Sequence, residues 1–257
     1  MTTYGDYLAL DELLALQRRR SDEPEHDEML FIVIHQVYEL WFKQVLHELD
    51  RMVDHLNNDG LSRGGHQLRR VRRIFETLIK QIDVLETMTP LEFLSFRSFL
   101  DSGSGFQSVQ FREIETLLGI TDTVQPDWFE GSDRARLERR IAEPTLWDAF
   151  IHYLHRNGHE MPAAALERDP TAPIVASPEV QQVLLDAYRS EPRLRSLCEA
   201  LTDLDEMLQN WRYRHVMMVQ RTIGNRQGTG GSSGVDYLKS TLFRHCFPDL
   251  WAIRNQF

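Results

Sequence analysis

The feature that most constrains this chain is a periodicity. Leu194, Leu197, Leu201, Leu204, Leu208, Trp211, His215 and Met218 recur at steps of three and four, which puts them on one face of a single long helix. A strand cannot use that pattern, because its side chains alternate with period two. The same spacing runs through Leu30, Ile34, Val37, Trp41, Val45, Leu49, Met52 and Leu56, with a second stripe of Phe31, His35, Tyr38 and Phe42 beside it. It returns in Leu68, Val71, Phe75, Leu78, Ile82 and Leu85. Three long amphipathic helices must cover one another's apolar faces, so the pattern predicts an all-α helical bundle. No repeat of fixed period, interdomain linker or extended alternating run interrupts it. Residues 1–257 therefore read as one domain, and a hydrophobic share of 42% is enough to build its core.

Shorter signals organise the rest. Thr89-Pro90-Leu91-Glu92 reads as a capping box with proline in the first turn, so a helix begins there with Phe93, Phe96 and Leu100 inward. The glycines and serines of 101–105 break it, and a helix from about Gln107 to Leu118 follows, capped by Gly119. Residues 121–192 are richer in proline and predict short helices, one near Pro144 and one at Ser177-Pro178. Residues 224–234 hold five glycines and predict a flexible loop; a last helix from about Val235 to Phe247 is stopped by Pro248.

Several classes of function are disfavoured. With 29 basic and 39 acidic side chains the net charge is −10, whereas nonspecific nucleic-acid binding needs a basic face. The longest apolar run, Met29 to Ile34, is six residues, against roughly 20 for a membrane helix. Polar residues follow Met1 in place of a basic and then apolar leader, so a cytoplasmic location is expected. Cys198 and Cys246 alone make neither a disulfide framework nor a thiolate metal site.

The residues that could carry chemistry are few. His215 sits within a leucine and tryptophan stripe, where a buried imidazole needs a partner: a haem iron, or a backbone carbonyl. His35, among Phe31, Tyr38 and Phe42, is either a polar handle in an aromatic pocket or packing. Arg97 shares a helix turn with Phe93, so its guanidinium either offers a fork to a carboxylate or snorkels to the surface. The segment from Gly228 to Gly234 is either an anion cradle before a helix or a plain linker. It is no nucleotide P-loop, lacking the lysine and the preceding strand. His152, His155 and His159 have zinc-like spacing, but Asn157-Gly158 should break the helix that would align them. The arginines of 69–73 and 18–20 read as solvated surface.

Longer strings carry a family resemblance: YGDYLALDELL at 4–14, HDEMLFIVIHQVYELWFKQ at 26–44, LETMTP at 85–90, SGFQSVQFR at 104–112, WRYRH at 211–215 and RTIGNRQGTGGSSGVDYL at 221–238. In that order they resemble the haem-dependent tryptophan 2,3-dioxygenases. The resemblance implies an all-helical subunit with haem b, ferrous when active, in a pocket between long helices, and a homotetramer with shared active sites. It implies insertion of both atoms of O₂ across the indole C2–C3 bond of L-tryptophan, giving N-formyl-L-kynurenine, the first step of tryptophan catabolism by the kynurenine pathway. By this likeness His215 is the proximal iron ligand, and Ser104 and Gly105 form the turn against haem and substrate. His35 is the distal histidine facing the indole N–H, and Phe31 is a pocket wall. Arg97 grips the substrate carboxylate, and Thr229 belongs to a loop over the amino-acid end. Tyr4, Tyr7 and Leu8 match residues that a neighbouring subunit inserts into the site. The alternatives are an oxygenase for a substituted tryptophan and a non-catalytic haem sensor, and the polar groups Arg97 and Thr229 speak against the sensor.

Overall fold

The computed structural model describes residues 1–121, 125–229 and 233–257, the side chains of residues 61–64 excepted. Among the described residues every regular element is helical. Two short helices, α1 (Tyr4–Leu8) and α2 (Leu10–Leu14), precede the long helix α3 (His26–Asn57). Then come α4 (Leu61–Leu85), α5 (Pro90–Phe96), α6 (Val109–Leu117), α7 (Gly131–Ala142), α8 (Leu146–Arg156), α9 (Ala163–Leu166) and α10 (Pro178–Ser190). A second long helix, α11 (Pro192–Ile223), is followed by α12 (Val235–Ser240) and α13 (Pro248–Ala252).

The three periodic stretches form the centre of the bundle. Helix α4 packs along both α3 and α11, α6 and α8 cover α3, and α10 lies against α11. Leu49, Met52 and Leu56 of α3 meet Val71, Phe75 and Leu78 of α4 and Leu201, Leu204 and Leu208 of α11 in one buried cluster. Each such side chain contributes roughly 1.5–3 kcal/mol by leaving water. Truncating a central one, as in Leu204→Ala, should cost about 2–5 kcal/mol because the cavity closes only in part.

Local chemistry fixes the element ends that matter for the site. The capping box at α5 is present: Thr89 Oγ1 accepts from the Glu92 amide, and the Glu92 carboxylate accepts from the Thr89 amide at 2.6 Å. Helix α5 then tightens into a 3₁₀ turn, Arg97–Leu100. Ser104 caps another short turn, Gly105–Gln107, and the Ser108 hydroxyl accepts from the Phe111 amide at 3.2 Å, so α6 begins at Val109, later than the sequence suggests. Helix α8 ends at Arg156 and Gly158 has φ +94°, which takes His159 off the face shared by His152 and His155. Among the described residues no group of three or more His, Cys, Asp or Glu could hold a metal ion, and no helix is long and apolar enough to cross a membrane.

The predicted helix from Val235 to Phe247 forms only over Val235–Ser240. The chain leaves α12 at Ser240, and Pro248 opens α13 where it was expected to end a helix. Side chains of α11 are the cause. Gln209 accepts from the Phe243 amide and donates to the Arg244 carbonyl, and fully buried Asp205 accepts from the amides of Cys246 and Phe247 and from the Trp251 indole. These bonds hold the 243–247 backbone flat against α11 and force Phe243 to φ +61°. Periodicity cannot register polar clamps of this kind.

Candidate active site

Where the N-terminal half of α3, α5 and the C-terminal half of α11 meet, they leave a cavity of about 250 Å³, closed further by the 104–112 segment and α12. Its walls differ in character.

On the α3 wall, Phe31 and His35 are one turn apart with ring centroids 4.0 Å apart. His35 Nδ1 lies 2.7 Å from the Phe31 carbonyl oxygen. A carbonyl only accepts, so Nδ1 carries the hydrogen, and the opposite nitrogen, Nε2, presents a lone pair to the cavity. Burial pushes the His35 pKa below the usual histidine value, against smaller opposing effects from that hydrogen bond and from Glu39. The ring is a neutral acceptor. Phe93 and Phe96 of α5 pack on Phe31 at 5.8 and 5.5 Å and fix its plane.

On the α11 wall, His215 stacks on Trp211 at 5.2 Å with 5° between the planes. The spacing i, i+4 brings the two rings to one helix face. Burial lowers the His215 pKa to about 4, with further repulsion from the cationic forms of His35 and Arg112. Both ring nitrogens are without a hydrogen-bond partner among the described residues. A neutral imidazole turned to a cavity, with a lone pair uncommitted, is the state a metal requires of histidine.

At the rim, Arg97 is half-buried, its Nη2 donates to the Gln227 carbonyl at 2.6 Å, and its Nε is buried without a partner among the described residues. The Thr229 hydroxyl donates to the Gly103 carbonyl at 2.6 Å. Together these bonds pin the segment entering the glycine-rich loop to the turn after α5. Gly103 is required there, because a Cβ would lie 2.8 Å from the Leu100 carbonyl oxygen. Gly234 at the loop's far end has φ +67°, and a Cβ would lie 2.6 Å from the Arg226 carbonyl oxygen. Gly230, Gly231 and Ser232, part of the expected anion cradle, lie outside the described residues.

Below His215 is a buried ion network that the sequence reading missed. Glu115 of α6 pairs with Arg112 through one carboxylate oxygen and with Arg212 of α11 through the other, the latter at 2.7 Å. Arg212 also donates to the Thr241 carbonyl at 3.1 Å. The signal was available in part: Arg212 stands beside Trp211 of the inward stripe, and an arginine there needs a buried anion.

The cavity gathers Phe31, His35, Arg97, Ser104, Gly105, His215 and Thr229, residues from four separate stretches of chain. Tyr4, Tyr7 and Leu8 are not among its lining residues; they sit on α1 and are exposed in the single chain, Tyr4 by 77% and Tyr7 by 81%.

Known proteins supply the context for this constellation. The family model described as tryptophan 2,3-dioxygenase matches residues 1–160 and 181–257. A tryptophan 2,3-dioxygenase of Herpetosiphon aurantiacus is 56% identical over 253 residues, covering 98% of this chain and 97% of the relative. That of Anaeromyxobacter dehalogenans is 52% identical over 258 residues (98% and 95%), and that of Caulobacter vibrioides 45% identical over 264 (99% and 98%). Likeness of this extent, running through the stretches that line the cavity, has one reading: the chain belongs to the tryptophan 2,3-dioxygenase family.

Proposed function

We propose that the cavity holds haem b on His215 and that the chain converts L-tryptophan and O₂ to N-formyl-L-kynurenine by opening the indole C2–C3 bond. One observation carries this reading. A neutral histidine with no hydrogen bond among the described residues, His215, shares a cavity with a second histidine of fixed tautomer, His35, and with an arginine, Arg97. The surroundings fit a haem: Phe106, Phe111, Val216 and Trp211 give the wall apolar and aromatic surface, and Arg112 Nε is a buried donor with no hydrogen-bond partner among the described residues. When bound, the ferrous haem supplies the oxygen-activating chemistry, and because both oxygen atoms enter the product no external reductant is consumed.

The chain's own residues bind and orient. His35 Nε2 accepts from the indole N–H and sets the ring's rotation; it orients without removing the proton, since that N–H is a very weak acid. Phe31, held by Phe93 and Phe96, bounds the indole plane. Arg97 exchanges the Gln227 carbonyl for the substrate carboxylate, a stronger charge-assisted partner with a matching fork. Thr229 closes on the ammonium end, and Ser104 and Gly105 line the haem side. Holding both ends of the amino acid fixes C2 and C3 relative to the iron, which is where a positioned site gains its rate. Exposed aromatic side chains on a terminal helix suit docking on another molecule, and Tyr4, Tyr7 and Leu8 complete the pocket of a neighbouring subunit in a homotetramer.

The test is the product formed by the ferrous full-length protein from L-tryptophan and labelled oxygen. N-formyl-L-kynurenine carrying two labelled atoms is expected. A product carrying a single labelled atom, or no turnover in haem-loaded protein, contradicts the proposal.

A further inference from the structure

His215 carries a freedom that its helix does not remove. The torsion that turns an imidazole about its Cβ–Cγ bond is broad, and neither ring nitrogen has a hydrogen bond among the described residues. Histidines that hold a metal ordinarily have their plane fixed by such a bond on the second nitrogen. Here the plane is shared with Trp211, whose ring lies within 5° of parallel to it. Whatever orients the indole therefore orients the imidazole. Trp211 is buried among three rings from two other helices: Phe111 of α6 at 4.8 Å, and Phe42 and Tyr38 of α3 at 6.3 and 6.4 Å. Of these three side chains Tyr38 alone carries a polar atom. Its hydroxyl donates to the Leu78 carbonyl of α4 at 2.5 Å. Burial pushes the Tyr38 pKa up to about 12, against smaller opposing effects from the Trp211 indole N–H and the Arg214 charge, so the hydroxyl stays protonated. With its hydrogen committed to Leu78, the oxygen has lone pairs left for the indole.

We infer that Tyr38 is a positioning residue for the iron ligand: anchored on Leu78, its hydroxyl holds the Trp211 indole, and the stacked indole sets the plane of the His215 ring. This rests on the haem reading above and deepens it by naming what orients the ligand. Three long helices meet here, since the anchor is on α4, the pin on α3, and the ligand with its stacking partner on α11. Tyr38 follows His35 by three residues on α3, so one helix carries both the nitrogen offered to substrate and the hydroxyl that steadies the opposite wall. Packing alone would give the same role to Phe42, which meets Trp211 at nearly the same centroid distance. Phe42 has no hydroxyl and serves as the comparison.

The experiment records the iron–histidine stretching band of the ferrous, haem-loaded full-length protein by resonance Raman spectroscopy, together with haem content and melting temperature. The band reads the ligand bond itself, which a role confined to stability does not move. Trp211→Leu removes the stacking face and should give the largest shift or splitting of the band. Tyr38→Phe, which loses one oxygen and keeps the ring, should shift the band in the same direction by a smaller amount, with haem content unchanged. The Tyr38→Phe, Trp211→Leu double variant should match Trp211→Leu, because the hydroxyl acts only through the indole. Phe42→Leu trims the same box more deeply; it should lower the melting temperature by more than Tyr38→Phe does and leave the band at its parental position. A Tyr38→Phe band superimposed on the parent's overturns the inference. A shift in Phe42→Leu as large as that in Tyr38→Phe does so too, since packing would then be the cause, and so do additive shifts in the double variant. A parent that binds no haem, or whose band persists in His215→Gly, would overturn the haem reading itself, and this inference with it.

Discussion

The two histidine walls of the cavity are built to opposite plans. On α3, His35 is tied to its own helix through Nδ1, which settles its tautomer and leaves one acceptor nitrogen. On α11, His215 has no hydrogen bond among the described residues and is held by stacking on Trp211. The surroundings follow suit: the α3 side reaches the rim, where Arg97 and Thr229 bond to exchangeable backbone carbonyls, and the α11 side rests on a sealed ion network. A wall that meets a substrate on every turnover needs partners it can release. A wall that holds a permanent group needs rigid support and an uncommitted lone pair.

That contrast can be broken at several points, and the largest effect is expected at the rim. Arg97→Leu removes a charge-assisted bond worth about 1.5–3 kcal/mol and should lower kcat/KM for tryptophan roughly tenfold to a hundredfold, mainly through KM, with haem content unchanged. Tryptamine should be a poor substrate of the parent and lose little more in the variant; equal proportional losses would make Arg97 structural. The next effect tests whether the substrate side extends to a neighbour. Tyr7→Ala and His215→Ala protomers, co-assembled and verified as hetero-oligomers, should regain activity above the sum of the parents, because some hybrid sites combine an intact α1 with a haem-loaded pocket. No recovery would make each site self-contained.

A smaller change is expected from His35→Ala. Losing one orienting hydrogen bond should cost about tenfold in kcat/KM and leave dioxygenation measurable; complete loss with haem and tryptophan still bound would assign His35 an obligatory proton transfer. The smallest effect concerns pH. Both histidines have folded-state pKa values below the unfolded value, His215 at about 4. The unfolded chain therefore binds protons that the folded chain refuses as pH falls from about 6.5 toward 4, and the haem-free protein should lose stability over that window. Above it this contribution is fully present. Urea midpoints of the parent should fall more steeply with acidification than those of a His35→Ala, His215→Ala double variant; parallel curves would mean that the two rings are not desolvated.

The three central helices were legible from the sequence because burial repeats with the helix period, and with them the inward place of His215. Thr89 and Glu92 gave the start of α5 for an equally local reason. What stayed hidden depends on partners distant in sequence. Glu115 and Arg212 are 97 residues apart and meet only once α6 lies beside α11. Asp205 and Gln209 undo the expected helix beyond Ser240 in the same manner, through side chains that bond to a distant backbone. Residue identity pointed to His35 and Arg97 as candidates. Only the fold shows His35 bonded to Phe31, and Arg97 bonded to the loop.

The division of labour between the two histidines is tested most directly by replacing each with glycine in the full-length protein and recording the ferrous haem spectrum with and without added imidazole. The account predicts that His215→Gly loses stoichiometric haem with its normal axial field and regains it with imidazole, while His35→Gly keeps the parental spectrum throughout. Retention of the parental spectrum by His215→Gly, or its loss and rescue in His35→Gly, would contradict the account.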